Sequence, residues 1–134
     1  MARPSRRRLS RARARDLDIE ISFYEGITRD GAPYPEALEL LGDAYDERGR
    51  FADSLHVDRQ LRELNPADPL VRYNLACSLS RTGQFEQAAT ELEQALDLGY
   101  QDVQQLNADP DLEDLRHHPA YRRVREKLNH LRRA

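Results

Sequence analysis

The chain has no tryptophan, one methionine and only three phenylalanines among its 134 residues. A core organised around tryptophan and phenylalanine rings is therefore excluded. Leu, Ala, Ile, Val and Tyr must supply it instead, a composition suited to thin helical layers. Cys77 is the single cysteine, so no internal disulfide can form and nothing ties the chain to an oxidising compartment. No apolar run approaches the roughly 20 residues that span a bilayer, and no hydrophobic segment follows the basic N-terminal stretch, as secretory and twin-arginine export signals require. These absences predict a soluble, cytoplasmic protein. There is no Gly-rich phosphate loop, nucleophile motif or Cys-x-x-Cys pair. His117 and His118 are adjacent and point apart, His130 is too distant to complete a ligand set, and His56 is isolated. Cys77 has no sequence-local His partner and reads as a groove-facing or half-buried thiol. The expectation is a non-enzyme with no cofactor and no metal.

The charge is polarised. Residues 1–15 carry seven Arg and no acid, residues 16–115 carry seven basic and 23 acidic side chains, and residues 116–134 carry seven basic and one acidic. A basic arm and a basic tail thus flank an acidic body, and the ends can fold back, recruit an anionic partner, or both. Within the body, two stretches superimpose at a spacing of 34 residues. Leu41-Gly42-x-x-Tyr45, Gly49-x-Phe51 and Asn65-Pro66 recur as Leu75-Ala76-x-x-Leu79, Gly83-x-Phe85 and Gly99-Tyr100. That period implies stacked helical hairpins, since each hairpin hides its apolar side only against a neighbouring copy.

Residues 1–15 have too little apolar content to pack and are expected to be a disordered arm. Leu17, Ile21, Tyr24 and Ile27 form one stripe of a helix ending at Asp30-Gly31, the second half of a truncated hairpin over residues 16–34. The first full repeat spans residues 35–68. Its opening helix starts at Pro35, carries Leu38, Leu41, Ala44 and Tyr45, and stops at Gly49; Phe51 to Leu64 form its partner. The second repeat, residues 69–102, runs from Pro69 through Leu70–Arg81, turns at Gly83 and returns through Phe85–Leu98. Residues 103–134 hold two short helical turns, Val103–Leu106 and Leu112–Leu115. After Pro119 comes a last helix with Tyr121, Val124, Leu128 and Leu131 on one side, which fits a cap over the open end of the stack. The fold expected is one all-α domain, a right-handed stack of antiparallel helical hairpins closed by a C-terminal capping helix.

At these positions the chain resembles the tetratricopeptide repeat family, and its tail Asp109-Pro110-Asp111-Leu112-Glu113-Asp114-Leu115-Arg116, before a short amphipathic helix, resembles the ending of small bacterial proteins of that type. Residues 35–68 fit through Leu41, Gly42, Tyr45, Gly49, Phe51 and Pro66, and residues 69–102 through Leu75, Ala76, Gly83, Phe85, Ala88, Leu92 and Ala95. Small residues at Gly42, Ala76 and Ala88 let helices approach closely. The departures matter equally. The family's tryptophan slot holds Leu38 and Arg72, a small packing position holds Ser54, and a large aromatic slot holds Asp58. A buried acid is costly unless paired, so Asp58 and Arg72 are expected to compensate each other as an inter-repeat ion pair.

The resemblance implies a binding groove lined by the first helix of each hairpin. It places Glu36, Glu39, Asp43, Asp46 and Glu47 there in the first repeat, and Leu70, Tyr73, Asn74, Cys77, Ser80 and Arg81 in the second. Relatives that hold a chaperone's C-terminal carboxylate use Lys, Arg and Asn from these helices. Here Glu39 and Asp43 replace an expected Lys and Asn, which argues against such a clamp. The expected function is an adaptor or assembly scaffold that binds a basic peptide or protein segment, with apolar anchors at Leu70 and Tyr73. The chain's own arm is one candidate occupant, and a solvated acidic face without a ligand is the plain alternative. The rival reading is non-specific nucleic-acid association through Arg6, Arg7, Arg8, Arg11, Arg13 and Arg15 plus the basic tail. The acidic body and the lack of aromatics in the arm oppose it. No membrane partner is expected, and the short stack leaves open whether the chain is a monomer or a homodimer.

Overall fold

A computed structural model of the chain describes residues 8–29 and 34–133. They are all-α, without a strand: α1 (Arg11–Thr28), α2 (Pro35–Arg48), α3 (Phe51–Leu64), α4 (Pro69–Arg81), α5 (Phe85–Asp97), α6 (Val103–Ala108), α7 (Glu113–Arg116) and α8 (Tyr121–Arg133). A 3-10 turn, Pro110–Leu112, leads into α7. Successive helices α1 to α5 pack in adjacent pairs, α8 lies against α5, and the 3-10 turn with α7 lies against α4. Among the described residues no helix is long and apolar enough to cross a membrane.

Local sequence fixes most helix ends. Pro35 and Pro69 occupy first-turn positions, where a missing N–H costs nothing. Asp68 caps α4 by accepting from the N–H groups of Leu70 (2.9 Å) and Val71 (3.4 Å). Gly49 and Gly83, 34 residues apart, close their helices in the same left-handed conformation, with φ of 84° and 76°. The following N–H groups return to the carbonyls of Tyr45 (2.8 Å) and Leu79 (2.9 Å).

Helix α1 starts earlier than expected. Ser10 caps it by accepting from Arg13 N–H at 3.1 Å, so Arg11–Arg15 form its first turns rather than a disordered arm. Residues 1–7 of that expected arm lie outside the described residues, as does the Asp30-Gly31 stop. The inner stripe is also corrected at one place. Leu17 and Ile21 are buried and Tyr24 packs beside them, but Ile27 is exposed. It continues an outer stripe with Ile19 and Phe23, which are 68% and 64% exposed.

The core has two lobes that interlock. One joins Leu17, Ile21, Leu38, Leu41, Tyr45, Val57 and Leu61, with Val71 reaching in from α4. The other joins Leu75, Ala76, Leu79, Ala88, Leu92 and Ala95 to Leu106, Leu112, Leu115, Tyr121 and Val124, with Leu55 reaching in from α3. The cap is therefore an integral part of the second lobe. Leu131, expected on the apolar side of α8, is exposed.

Candidate functional site

The expected groove residues of α2 separate into two groups. Glu36, Glu39 and Asp43 are exposed. Glu47 is held by Arg13 of α1 through two hydrogen bonds of 2.7 and 2.8 Å. That guanidinium keeps the Glu47 carboxyl below the usual carboxylate range, burial opposing it. Asp46 is buried and bound by Arg81 at 2.5 Å, and Arg81 also reaches Asp111 at 3.0 Å while its guanidinium lies 4.6 Å from the Phe51 ring centre. Asp46, Glu47 and Arg81 thus serve internal ion pairs instead of facing an open groove.

On α4 the chain covers its own expected binding stripe. Tyr73 has no exposed surface, and Cys77 and Ser80 are buried. Tyr73 donates its hydroxyl to Asp109 Oδ2 at 2.7 Å, Gln105 Nε2 donates to the same oxygen at 3.2 Å, and Cys77 Sγ lies 3.7 Å from it. The Asp109 Oδ1 atom caps the 3-10 turn through Asp111 N–H at 3.0 Å. Tyr100 stacks on Tyr73 with ring centres 4.3 Å apart. Tyr73, Cys77 and Arg81 are therefore corrected from partner contacts to the bed on which the C-terminal segment rests. A sequence signal existed: Asp109-Pro110 followed by Leu112 and Leu115 is a cap-and-turn pattern with apolar residues to bury. Periodicity alone could not say where it would land.

Cys77, Asp109 and Asp111 bring ligand-type atoms within 4.8 Å of one another. Arg81 sits on Asp111, and four donors, from Tyr73, Cys77, Gln105 and the Asp111 N–H, converge on Asp109, so the cluster reads as a clamp for the cap. Replacing Tyr73 with Phe removes one donor from a buried carboxylate and is expected to cost about 1–2 kcal/mol in thermal or urea unfolding. Burial, Cys77 and the bond to Asp109 push the Tyr73 phenol up. The folded chain thus keeps this proton where the unfolded chain loses it, near pH 10. The contribution is whole below that pH and falls as pH rises above it. Alkaline melts of Tyr73→Phe are expected to lose less stability than wild type between about pH 9 and 11.

The proposed partnership of Asp58 and Arg72 is also corrected. Each charge in an apolar slot has its own compensation. Asp58, 1% exposed, accepts the Ser78 hydroxyl. Arg72 donates to Glu91 at 2.7 and 3.0 Å and to the Pro66 carbonyl at 2.9 Å.

What remains open between α2 and α4 is a small pocket of about 150 Å³. Its walls carry Glu39, Asp43, Asp58 and Asp68, its apolar floor Leu61, Leu70 and Val71, and its edge Asn74. Every charged group lining it is an acid. The Asn74 Oδ1 atom is buried and receives no hydrogen bond from the described residues. The pocket therefore offers acceptors and apolar surface together, the counterpart of a Lys or Arg side chain with its methylene stem.

The basic ends are partly used as well. Arg8, Arg11 and Arg15 are exposed, while Arg13 is committed to Glu47. On α8, Lys127 binds Asp97 at 2.7 Å and Arg123 reaches Glu86 and Glu93, fastening the helix to α5. The histidines with resolved contacts are structural. His118 accepts from Ala120 N–H and stacks on Phe85, and His117 Nδ1 lies 2.8 Å from the Glu113 carbonyl.

No protein-family model and no solved structure matches the chain. Over 78 residues it is 31% identical to a chloroplastic protein of Arabidopsis thaliana. That stretch covers 56% of this chain and 23% of the plant protein, so the chain spans less than a quarter of that relative's length.

Proposed function

We propose that this chain is a non-catalytic, tetratricopeptide-like protein-binding module, a right-handed stack of helical hairpins that holds a basic peptide or protein segment. The observation that carries the reading is the acid-walled pocket between α2 and α4, with its buried, unbonded Asn74 oxygen above an apolar floor. Repetition of the Gly49 and Gly83 closures one repeat apart supports the hairpin stack. Because Tyr73 is covered by the cap, the ligand's apolar contact falls to Leu70 and its cation to Glu39 and Asp43. Residues 8–15 and α8 support the rival nucleic-acid reading only through the exposed cations that internal pairing leaves over.

The test is fluorescence anisotropy with a labelled eight-residue peptide of alternating Lys and Leu, against the full chain. Neutralising Glu39→Gln with Asp43→Asn is expected to weaken binding about tenfold, or 1.4 kcal/mol, with the melting temperature little changed. Equal binding by the variant, or tighter binding of a single-stranded RNA of the same length than of the peptide, would reject the basic-segment reading.

A further inference from the structure

A larger groove of opposite sign lies elsewhere on the surface. It has a volume of about 620 Å³ and shares no lining residue with the acidic pocket. Four arginines from three helices converge on it: Arg59 and Arg62 of α3, Arg72 of α4 and Arg123 of α8. Only Glu86 and Glu91 of α5 oppose them in the lining. None of these arginines is near another in a sequence motif except Arg59 and Arg62, so the convergence is a product of packing.

The four cations are not equally occupied. Glu91 is 5% exposed and taken at short range by Arg72. Arg62 reaches the same carboxylate only at 3.4 Å, and the largely exposed Glu63 at 3.5 Å. Among the described residues Arg59 meets no carboxylate. Its contacts are the amide oxygens of Gln84 and Gln87, at 3.3 and 3.4 Å, near the outer limit for a hydrogen bond. Arg123 gives one terminal nitrogen to the Glu86 carbonyl at 2.9 Å and meets the Glu86 and Glu93 carboxylates at 3.4 and 3.6 Å. A guanidinium offers five donors in a planar fork. Arg59 and Arg62, one helical turn apart, thus hold a surplus of donors over a cavity within the usual range for ligand sites.

The geometry points to a docking groove for an acidic segment of a partner protein, with an Asp or Glu carboxylate seated in the forks of Arg59 and Arg62. Carboxylates take Arg forks two bonds at a time, and such charge-assisted pairs are about twice as strong as neutral hydrogen bonds. The exposed acids Glu63, beside Arg62, and Glu86, in the lining itself, interrupt this positive patch. They confine the field to a short stretch, which suits discrete carboxylates and repels a continuous polyanion. This surface is independent of the acidic pocket and would give the module a second partner of opposite charge.

The test uses the full chain and a fluorescein-labelled octapeptide of Asp and Glu, followed by anisotropy at 50 and 200 mM NaCl. Single-stranded RNA of eight nucleotides is the competitor. Arg59→Gln with Arg62→Gln is expected to weaken peptide binding at least tenfold. Arg72 is left in place so that Glu91 keeps its partner, and circular dichroism reports the fold; should the pair unfold the chain, Arg59→Gln alone is read, with a several-fold loss expected. Arg59→Lys with Arg62→Lys keeps the charge but not the fork and is expected to bind several-fold more weakly than wild type. Changing Arg6, Arg7 and Arg8 to Gln, or Glu39→Gln with Asp43→Asn, is expected to leave binding unchanged. The proposal is overturned by no binding at 50 mM NaCl, by unchanged affinity in the Gln variants, or by full activity of the Lys pair. Loss that follows the arm substitutions, or RNA bound tighter than peptide through the same arginines, overturns it too. So does a wild-type dimer dissolved by the Gln variants, which would make a second copy the occupant.

Discussion

Arg81→Met is expected to lower stability by about 3–5 kcal/mol, because it removes the shared cation from Asp46 and Asp111 while both carboxylates stay largely shielded from water. For a chain of this size that corresponds to a fall in melting temperature of roughly 10–20 °C. The methionine stem replaces much of the packing against Phe51, so the loss reports charge, not volume. Adding Asp46→Asn and Asp111→Asn to the same variant is expected to restore most of the loss, since neither position then holds a shielded carboxylate. A triple variant as unstable as the single would show that packing was responsible.

The pH dependence gives an independent sign. Burial raises the Asp111 carboxyl in the folded chain, and Arg81 pulls it back. Without Arg81 the folded state holds that proton still more firmly than the unfolded chain, whose Asp titrates near pH 3.9. A group raised on folding contributes stability below the unfolded value and loses it as pH rises through the folded value. Melts of Arg81→Met are therefore expected to improve relative to wild type as pH is lowered from 7 toward about 4.5. A constant difference across that range would remove the carboxylates from the explanation.

Leu112→Ala is the second large effect. Leu112 is wholly buried between the 3-10 turn and α4, in the lobe that contains Leu75, Leu79 and Leu115. Truncation is expected to cost about 2–5 kcal/mol, the transfer loss plus the cavity left behind. The damage should be regional. Amide exchange is expected to rise first in residues 103–133 and on the α4 face beneath them, while α1 to α3 keep their protection. If exchange accelerated uniformly, the cap and the first lobe would form one cooperative unit. Loosening the cap would also bare Tyr73 and Cys77, so Cys77 labelling by a thiol reagent is a simple second readout.

The helices themselves were legible in the residues. Pro35 and Pro69 announce starts and Gly49 and Gly83 announce left-handed stops. The apolar stripes in α2 to α5 set which side faces inward, because each signal acts across four residues or fewer. The end of α1 shows where stripe reading fails. Ile27 satisfies the spacing yet lies on the outer side with Ile19 and Phe23, since α1 is apolar on two opposite faces and only contact with α2 selects one. The start of α1 failed for a different reason. Charge density argued for disorder, but Ser10 caps the helix and Arg13 finds an acid on α2.

The candidate site was half legible. Glu36, Glu39, Asp43, Leu70 and Asn74 sit at or near the surface, while Tyr73, Cys77 and Arg81 lie under residues 105–112. That outcome depends on where a segment with no repeat spacing folds back. Asp58 and Arg72 stand out in the sequence as charges on packing stripes, but pairing them requires knowing which side chains packing brings within reach. Glu91, 19 residues from Arg72, and Ser78, 20 residues from Asp58, proved nearer.

The sequence by itself determined the all-helical character, most helix boundaries and the apolar composition of the core, because these follow from short-range hydrogen bonding and the helical period. Only the tertiary structure decided which charges neutralise one another, that the C-terminal segment fills half of the expected groove, and that four arginines share one cavity. Such choices are made largely between groups 19 or more residues apart in the chain, where side-chain separation is set by how helices pack.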